Sequence, residues 1–248
     1  MWTVGGGEPR HLAGPGTPLR EPAWSTDGQQ VVFRGTLAGR IGTWRVAAAG
    51  GRPERLTQAE LGDFEPHMNA VGTVVFASSR DGNAELYERS PEGQLTRLTA
   101  HVHDDIHPRY APDGSAIAWL SDVDGRRQLM VRRGEAPATH VGEPDRSQHA
   151  FAWSPDSASL AVAERDGPSY RLAVHSLNGT EPTIYDYDAD PSPPAYSSDA
   201  STLCWTSDGR GHVVVRCARN GGAVYDAVIS NGSTDSWLPR LLSGTNRR

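Results

Sequence analysis

The chain returns to one phrase at nearly fixed intervals. It reads "EPAWSTDGQQVVFRG" from Glu21, "EPHMNAVGTVVFASSRDG" from Glu65 and "HPRYAPDGSAIAWLSDVDG" from His107. It reads "AFAWSPDSASLAVAERDG" from Ala150 and "LCWTSDGRGHVVVRCARNGG" from Leu203. The anchors that close the first short run are Trp24, Met68, Tyr110, Trp153 and Trp205, spaced 44, 42, 43 and 52 residues apart. The Pro/Ser-rich stretch "YDADPSPPAYSSDAS" lengthens the last interval. Tyr196 inside it is a rival anchor, but the text after it fits the template less well.

Each unit reads as a short strand ending in an aromatic or Met, a turn built on Asp-Gly or a worn form of it, and an alternating strand. The alternating runs are Val31 to Phe33, Val74 to Phe76, Ile117 to Trp119, Leu160 to Val162 and Val213 to Val215. A second Gly turn, a third strand and a polar fourth strand complete the unit. Period-two alternation broken by Asp-Gly and Asn-Gly is a hairpin signal, because those residues tolerate the positive φ that tight turns need. Four antiparallel strands repeated every 40 to 45 residues or so define a β-propeller blade.

The fold class expected is therefore all-β, a propeller of four-stranded antiparallel blades, five of them plus an N-terminal partial blade. One domain covers residues 1–248, with blades at 21–64, 65–106, 107–149, 150–202 and 203–244. Residues 1–20 form the end of a partial blade, since "GGGEPRHLAG" matches the unit end "AAGGRPERLTQ". The anchors are expected to pack between blades, and Phe33, Phe76 and Trp119 to point into the same cores. The turn Asp residues are expected to bond backbone amides.

A net charge of −6 argues against sequence-independent binding of nucleic acid or anionic lipid, which needs a basic face. All 24 basic residues are Arg, so no side-chain amine is present for a Schiff base. The N-terminus lacks the apolar core of a secretory signal, and no apolar run reaches membrane-spanning length. Two cysteines, Cys204 and Cys217, read as small half-buried hydrophobes in a reducing compartment. The location expected is cytoplasmic.

The segments "PRYAPDGSAIAWLSD", "AWSPD" and "RDGNAELYERSPEGQLTRLTA" resemble the repeats of TolB-type propellers. They resemble equally the propeller of the prolyl oligopeptidase family, above all its acylaminoacyl-peptidase branch. The run "SDVDGRRQLMV" and the insertion before "LCWTSDGRG" favour the peptidase side. The resemblance spans roughly residues 1 to 244 and implies architecture more than function. In that peptidase family a seven-bladed propeller precedes an α/β-hydrolase domain, which would make this chain a five-blade portion.

No G-x-S-x-G elbow, H-E-x-x-H, C-x-x-C or Walker loop occurs, so no catalytic residue and no cofactor is carried over. Two clusters remain. Glu21, Glu65 and His107, with His149 one residue ahead of its frame, occupy equivalent positions and are candidate ligand-binding residues at a channel mouth. "AHVHDDIHPRY" supplies His101, His103, Asp105 and His107, a candidate metal set. The resemblance adds that some TolB-like lyases hold a metal by His near the channel. The plainer reading of that segment, a solvated loop with ordinary histidines, carries more weight, because one sequence cannot show spatial convergence. Asp122 and Asp124 in "SDVDG" are accounted for by a hairpin.

The function expected is a non-catalytic propeller that binds a protein or peptide, or gates a substrate. One alternative is the propeller portion of a prolyl-oligopeptidase-like serine peptidase, with a serine hydrolase domain as partner. A second alternative is a metal-dependent, lyase-like enzyme. No nucleic acid or membrane partner is expected. Unpaired blade edges favour self-association.

Overall fold

In an extended strand successive side chains leave opposite faces, so a run such as Val74-Val75-Phe76-Ala77 can serve two cores at once. The computed structural model describes residues 19–58, 62–187, 193–209, 212–219 and 221–228, and it shows that arrangement. The described residues are β-strand and turn throughout. The first sheet contains β1 (Arg20–Trp24), β2 (Gln30–Leu37), β3 (Arg40–Ala47) and β4 (Glu54–Arg55). The second contains β5 (Asp63–Met68), β6 (Val74–Ser78), β7 (Glu85–Arg89) and β8 (Leu95–Arg97). The third contains β9 (Asp105–Tyr110), β10 (Ala116–Val123), β11 (Arg126–Arg133) and β12 (Thr139–Val141). The fourth contains β13 (Ser147–Trp153), β14 (Ser159–Asp166), β15 (Ser169–Ser176) and β16 (Thr183–Tyr187). The fifth contains β17 (Ala195–Tyr196), β18 (Thr202–Gly209), β19 (His212–Arg219) and β20 (Val224–Val228). Every sheet is a four-stranded antiparallel meander in chain order, the blade of a β-propeller.

Blades 1 and 2 enclose Val32, Leu56, Met68, Val74, Phe76 and Tyr87. The opposite face of β6 sends Val75 and Ala77 against Tyr110, Ile117 and Trp119 of blade 3. Blades 3 and 4 share Ala118, Leu120, Leu129, Leu160 and Val162. Ala161 and Leu172 meet Leu203, Trp205 and Ala218 of blade 5. Among the described residues each blade packs on its sequence neighbour, and no strand of blade 5 packs extensively on blade 1. Residues 1–18 of the expected N-terminal partial blade lie outside the described residues, and Arg20 belongs to β1.

The turn after each inner strand is held as the sequence suggests. Ser25 Oγ donates to Asp27 Oδ1 at 2.6 Å, and the Gln29 amide donates to the same oxygen at 3.1 Å. Ser154 with Asp156 and Ser197 with Asp199 repeat the motif. Gly28 and Gly114 have positive φ here, whereas Ser157 and Ala200 adopt the same left-handed backbone without glycine. Asp124 and Gly125, both at positive φ, form the two-residue turn of the β10–β11 hairpin, which accounts for "SDVDG".

Three sequence readings are corrected. The inner strand of blade 5 ends at Tyr196, which lies 43 residues after Trp153, and so the repeat is not stretched. Trp205 lies on the second strand, and Val213–Val215 belong to the third strand of the sheet. Secondly, Met68, Tyr110 and Phe76 are enclosed between blades, but Trp24 is 42% exposed and Trp153 only partly buried. Thirdly, Cys204 and Cys217 face each other across β18 and β19 and are joined in a disulfide. Disulfides persist in oxidising compartments, so the cysteines no longer support a reducing one.

Phe76 is wholly buried between two stiff sheets. Phe76→Ala should cost about 3–5 kcal/mol in a denaturant titration, because the cavity has little room to collapse. Trp24→Ala should cost less than about 1 kcal/mol. Comparable losses for the two would contradict the assigned faces.

Candidate functional site

The strands β1, β5, β9 and β13 are the first strands of their blades, and each carries a β-bulge. The pairing register shifts between Arg20 and Ala23, between Phe64 and His67, opposite Ala118–Leu120, and between Gln148 and Ala150. The bulges of the first three blades contain Glu21-Pro22, Glu65-Pro66 and His107-Pro108; in the fourth the bulged residue is His149. Glu21, Glu65 and His107 adopt φ of 54°, 53° and 55°. Such values are strained for a residue that carries a Cβ, and they re-aim the side chain.

The re-aimed side chains reach the next blade. The Glu65 amide donates to Glu21 Oε2 at 2.6 Å, and the His107 amide donates to Glu65 Oε2 at 2.6 Å. His107 Nε2 also lies 3.1 Å from Glu65 Oε1. Three of the four candidate mouth residues are thus brought together, as a relay of inter-blade bonds. Burial raises the Glu65 pKa, while the His107 amide and Arg109 oppose the rise. Burial, with Arg109 and Arg127 nearby, holds His107 down at about 4, so this imidazole is neutral near pH 7.

Further along the same strands lies a cleft of about 330 Å³, bordered by Trp24, His67, Arg109, Phe151 and Trp153. Trp153 Nε1 donates to the Arg109 carbonyl at 3.2 Å, tying blade 4 to blade 3. His67 Nδ1 accepts from the Tyr110 amide at 3.1 Å, tying blade 3 to blade 2. Burial, reinforced by Arg109, holds His67 down at about 3. The Arg109 guanidinium donates to the Pro108 carbonyl at 2.8 Å, and Glu65 and Glu21 oppose the burial that lowers its pKa. The Trp24 and Trp153 positions, read from sequence as inter-blade packing, are the aromatic border of this cleft.

The metal set from the sequence divides. His107 joins Glu65 at the bulges, while His101 Nε2 sits 3.1 Å from Asp105 Oδ2. His103 meets His101 ring to ring at 5.6 Å. The residue that completes the His101–Asp105 pair is Glu85 on β7. Sequence reading missed it because its segment lies in the preceding blade. The available signal was a charged residue opening a strand whose neighbours are apolar.

No family model matches the chain. A protein TolB homolog of Chlorobium luteolum is 29% identical over 111 residues, covering 44% of this chain and 25% of that protein. The chain spans a quarter to about a third of the curated TolB relatives it matches. The structure of a putative TolB from Agrobacterium tumefaciens superposes with TM-score 0.67 at 16% identity, covering 84% of this chain and 80% of that one. A prolyl endopeptidase structure superposes with TM-score 0.55 at 11% identity, over 87% of this chain and 43% of that one. The fold is therefore that of a TolB-like β-propeller, and it resembles the propeller of prolyl oligopeptidases.

His67 and His107 titrate lower in the native state than the ordinary imidazole value of 6.5. The unfolded chain therefore binds protons that the native chain does not, and stability falls as pH drops below about 6.5. Urea titrations between pH 7 and 4.5 should show that decline, and His67→Gln should flatten it. An unchanged slope in the variant would refute the assignment to His67.

Proposed function

We propose that the chain is a non-catalytic binding propeller whose aromatic cleft takes a segment of a protein or peptide. The exposed Trp24 indole on the border of the cleft carries this reading. Large apolar groups are normally withdrawn from water, and aromatic and Arg side chains are enriched where proteins meet. Trp24, Phe151, Trp153 and Arg109 supply those groups on rigid strands. Ser25, one of the hydroxyl residues that border the cleft, is engaged in its own turn with Asp27 and Gln30. Similarity to TolB propellers supports the reading, and so does a fold shared with enzymes in which a propeller adjoins a catalytic domain.

A second reading, favoured by the fit to the prolyl endopeptidase propeller, makes the same cleft a gate for peptides reaching a serine hydrolase domain. An adjoining coding sequence with a G-x-S-x-G elbow would support it, and unrelated flanking sequence would remove its basis.

Panning a displayed random-peptide library against the chain should select binders that quench tryptophan emission on titration. Trp24→Ala should weaken them by about tenfold or more, the size expected for a central aromatic anchor. Selected peptides that bind the variant with unchanged affinity would place the interface elsewhere.

A further inference from the structure

Three junctions between blades can be compared among the described residues at two positions equivalent in register, one near the start of the third strand and one near the start of the next inner strand. At the junction of blades 1 and 2 that pair is Gly42 and Asp63, and Arg80 Nη2 neutralises Asp63 at 2.6 Å. At the junction of blades 3 and 4 it is Gln128 and Gln148. Gln148 is a neutral amide that accepts from the Leu129 amide at 2.5 Å and donates to the Val141 carbonyl at 2.9 Å. Glu164 beside it is bonded by Arg171 and His175, each at 2.7 Å.

The junction of blades 2 and 3 departs from this rule. It sets Glu85 against Asp105, two carboxylates with fully buried side chains. Glu85 Oε1 is well served, by the His101 amide at 2.9 Å, Asn83 Nδ2 at 3.2 Å and Arg97 Nη2 at 3.2 Å. Glu85 Oε2 and both Asp105 oxygens accept no well-formed hydrogen bond, and burial raises the Asp105 pKa against the opposing pull of the Ser121 and Thr99 hydroxyls and His101. Among the described residues Arg97 is the one guanidinium bonded to either carboxylate, and it is shared with Asp81 at 3.3 Å. The donor atoms of Glu85, Asp105 and His101 lie within 4.8 Å of one another, and the imidazole reaches out to solvent with 42% of its side chain exposed.

We propose that Glu85, His101 and Asp105 form a binding site for one divalent transition cation, which staples blade 2 to blade 3. Two carboxylates with one imidazole suit borderline cations such as Zn²⁺ or Mn²⁺, and the exposed side leaves room for water as the remaining ligands. The ligands come from three segments, β7, the β8–β9 connection and β9, so the cation would add a cross-link to the apolar packing and relay bonds that already join blades 2 and 3. Its charge would offset the buried carboxylate that Arg97 does not reach. Asn83 serves as a positioning residue: its Nδ2 donates to the His101 carbonyl at 3.0 Å and the His103 carbonyl at 2.7 Å, which fixes the ligand loop.

The test uses the full chain, freed of metal with chelator and then titrated calorimetrically with Zn²⁺ alone and with Mn²⁺ alone. We expect one site per chain for at least one of these ions and a rise in Tm on loading. Mg²⁺ at the same concentration should leave Tm unchanged. His101→Ala removes a half-exposed side chain and should fold; it should weaken binding by about tenfold or more. Asp105→Asn should abolish the metal-induced rise in Tm, while His103→Ala should retain it. Neither ion binding stoichiometrically would overturn the proposal. So would binding that survives in His101→Ala and Asp105→Asn, or a rise in Tm equally strong with Mg²⁺.

Discussion

Consecutive inner strands are coupled by a carboxylate that leaves a bulge in one blade and accepts the bulge amide of the next. A bulge frees a backbone N–H from its ladder, and a freed N–H needs another acceptor. Glu21 supplies one for Glu65, and Glu65 supplies one for His107. The relay fixes the height of each blade relative to the last at the bulges. That alignment sets the apolar faces in phase, so that Val74 and Phe76 meet blade 1 while Val75 and Ala77 meet blade 3. It also explains why two consecutive Glu-Pro pairs give way to His-Pro. His107 receives the bond from Glu65 through its backbone, and its ring turns back on the same carboxylate.

The same geometry separates two kinds of polar residue on the inner strands. Side chains at the bulge are occupied in holding blades together, and their proximity reflects architecture more than ligand capture. Side chains two to four positions later border the cleft, where Trp24, Phe151, Trp153 and Arg109 are available to a partner. A residue at the start of the inner strand instead faces the junction between blades, where Asp63, Asp105 and Gln148 meet three different electrostatic solutions. One strand of six or seven residues thus serves a junction, a relay and a cleft in succession.

Blade architecture was legible from spacing and alternation alone, since both are properties of the backbone period. The fifth repeat was misframed because Trp205, on a second strand, looks like the aromatic that ends an inner strand elsewhere. The 43-residue step from Trp153 to Tyr196 was the better guide, as strand length and turn geometry hold the period while side chains drift. Glu21, Glu65 and His107 were recognised as equivalent, but their role was not, because hydrogen bonds to the next blade depend on a φ near +54° that sequence does not display. Glu85 was missed for a related reason: it meets His101 and Asp105 only once two blades have packed. Pairing of Cys204 with Cys217 likewise depends on the β18–β19 register, which the misframed repeat had displaced.

The relay is tested most directly by hydrogen exchange at the Glu65 and His107 amides, resolved by NMR in the unsubstituted chain and in Glu21→Ala and Glu65→Ala. Bonds to an ionised acceptor contribute about 1.5–3 kcal/mol, so each loss should speed exchange by about tenfold or more. Glu21→Ala should release the Glu65 amide and leave His107 protected, and Glu65→Ala should release His107. Unprotected amides in the unsubstituted chain, or protection indifferent to either substitution, would contradict the account.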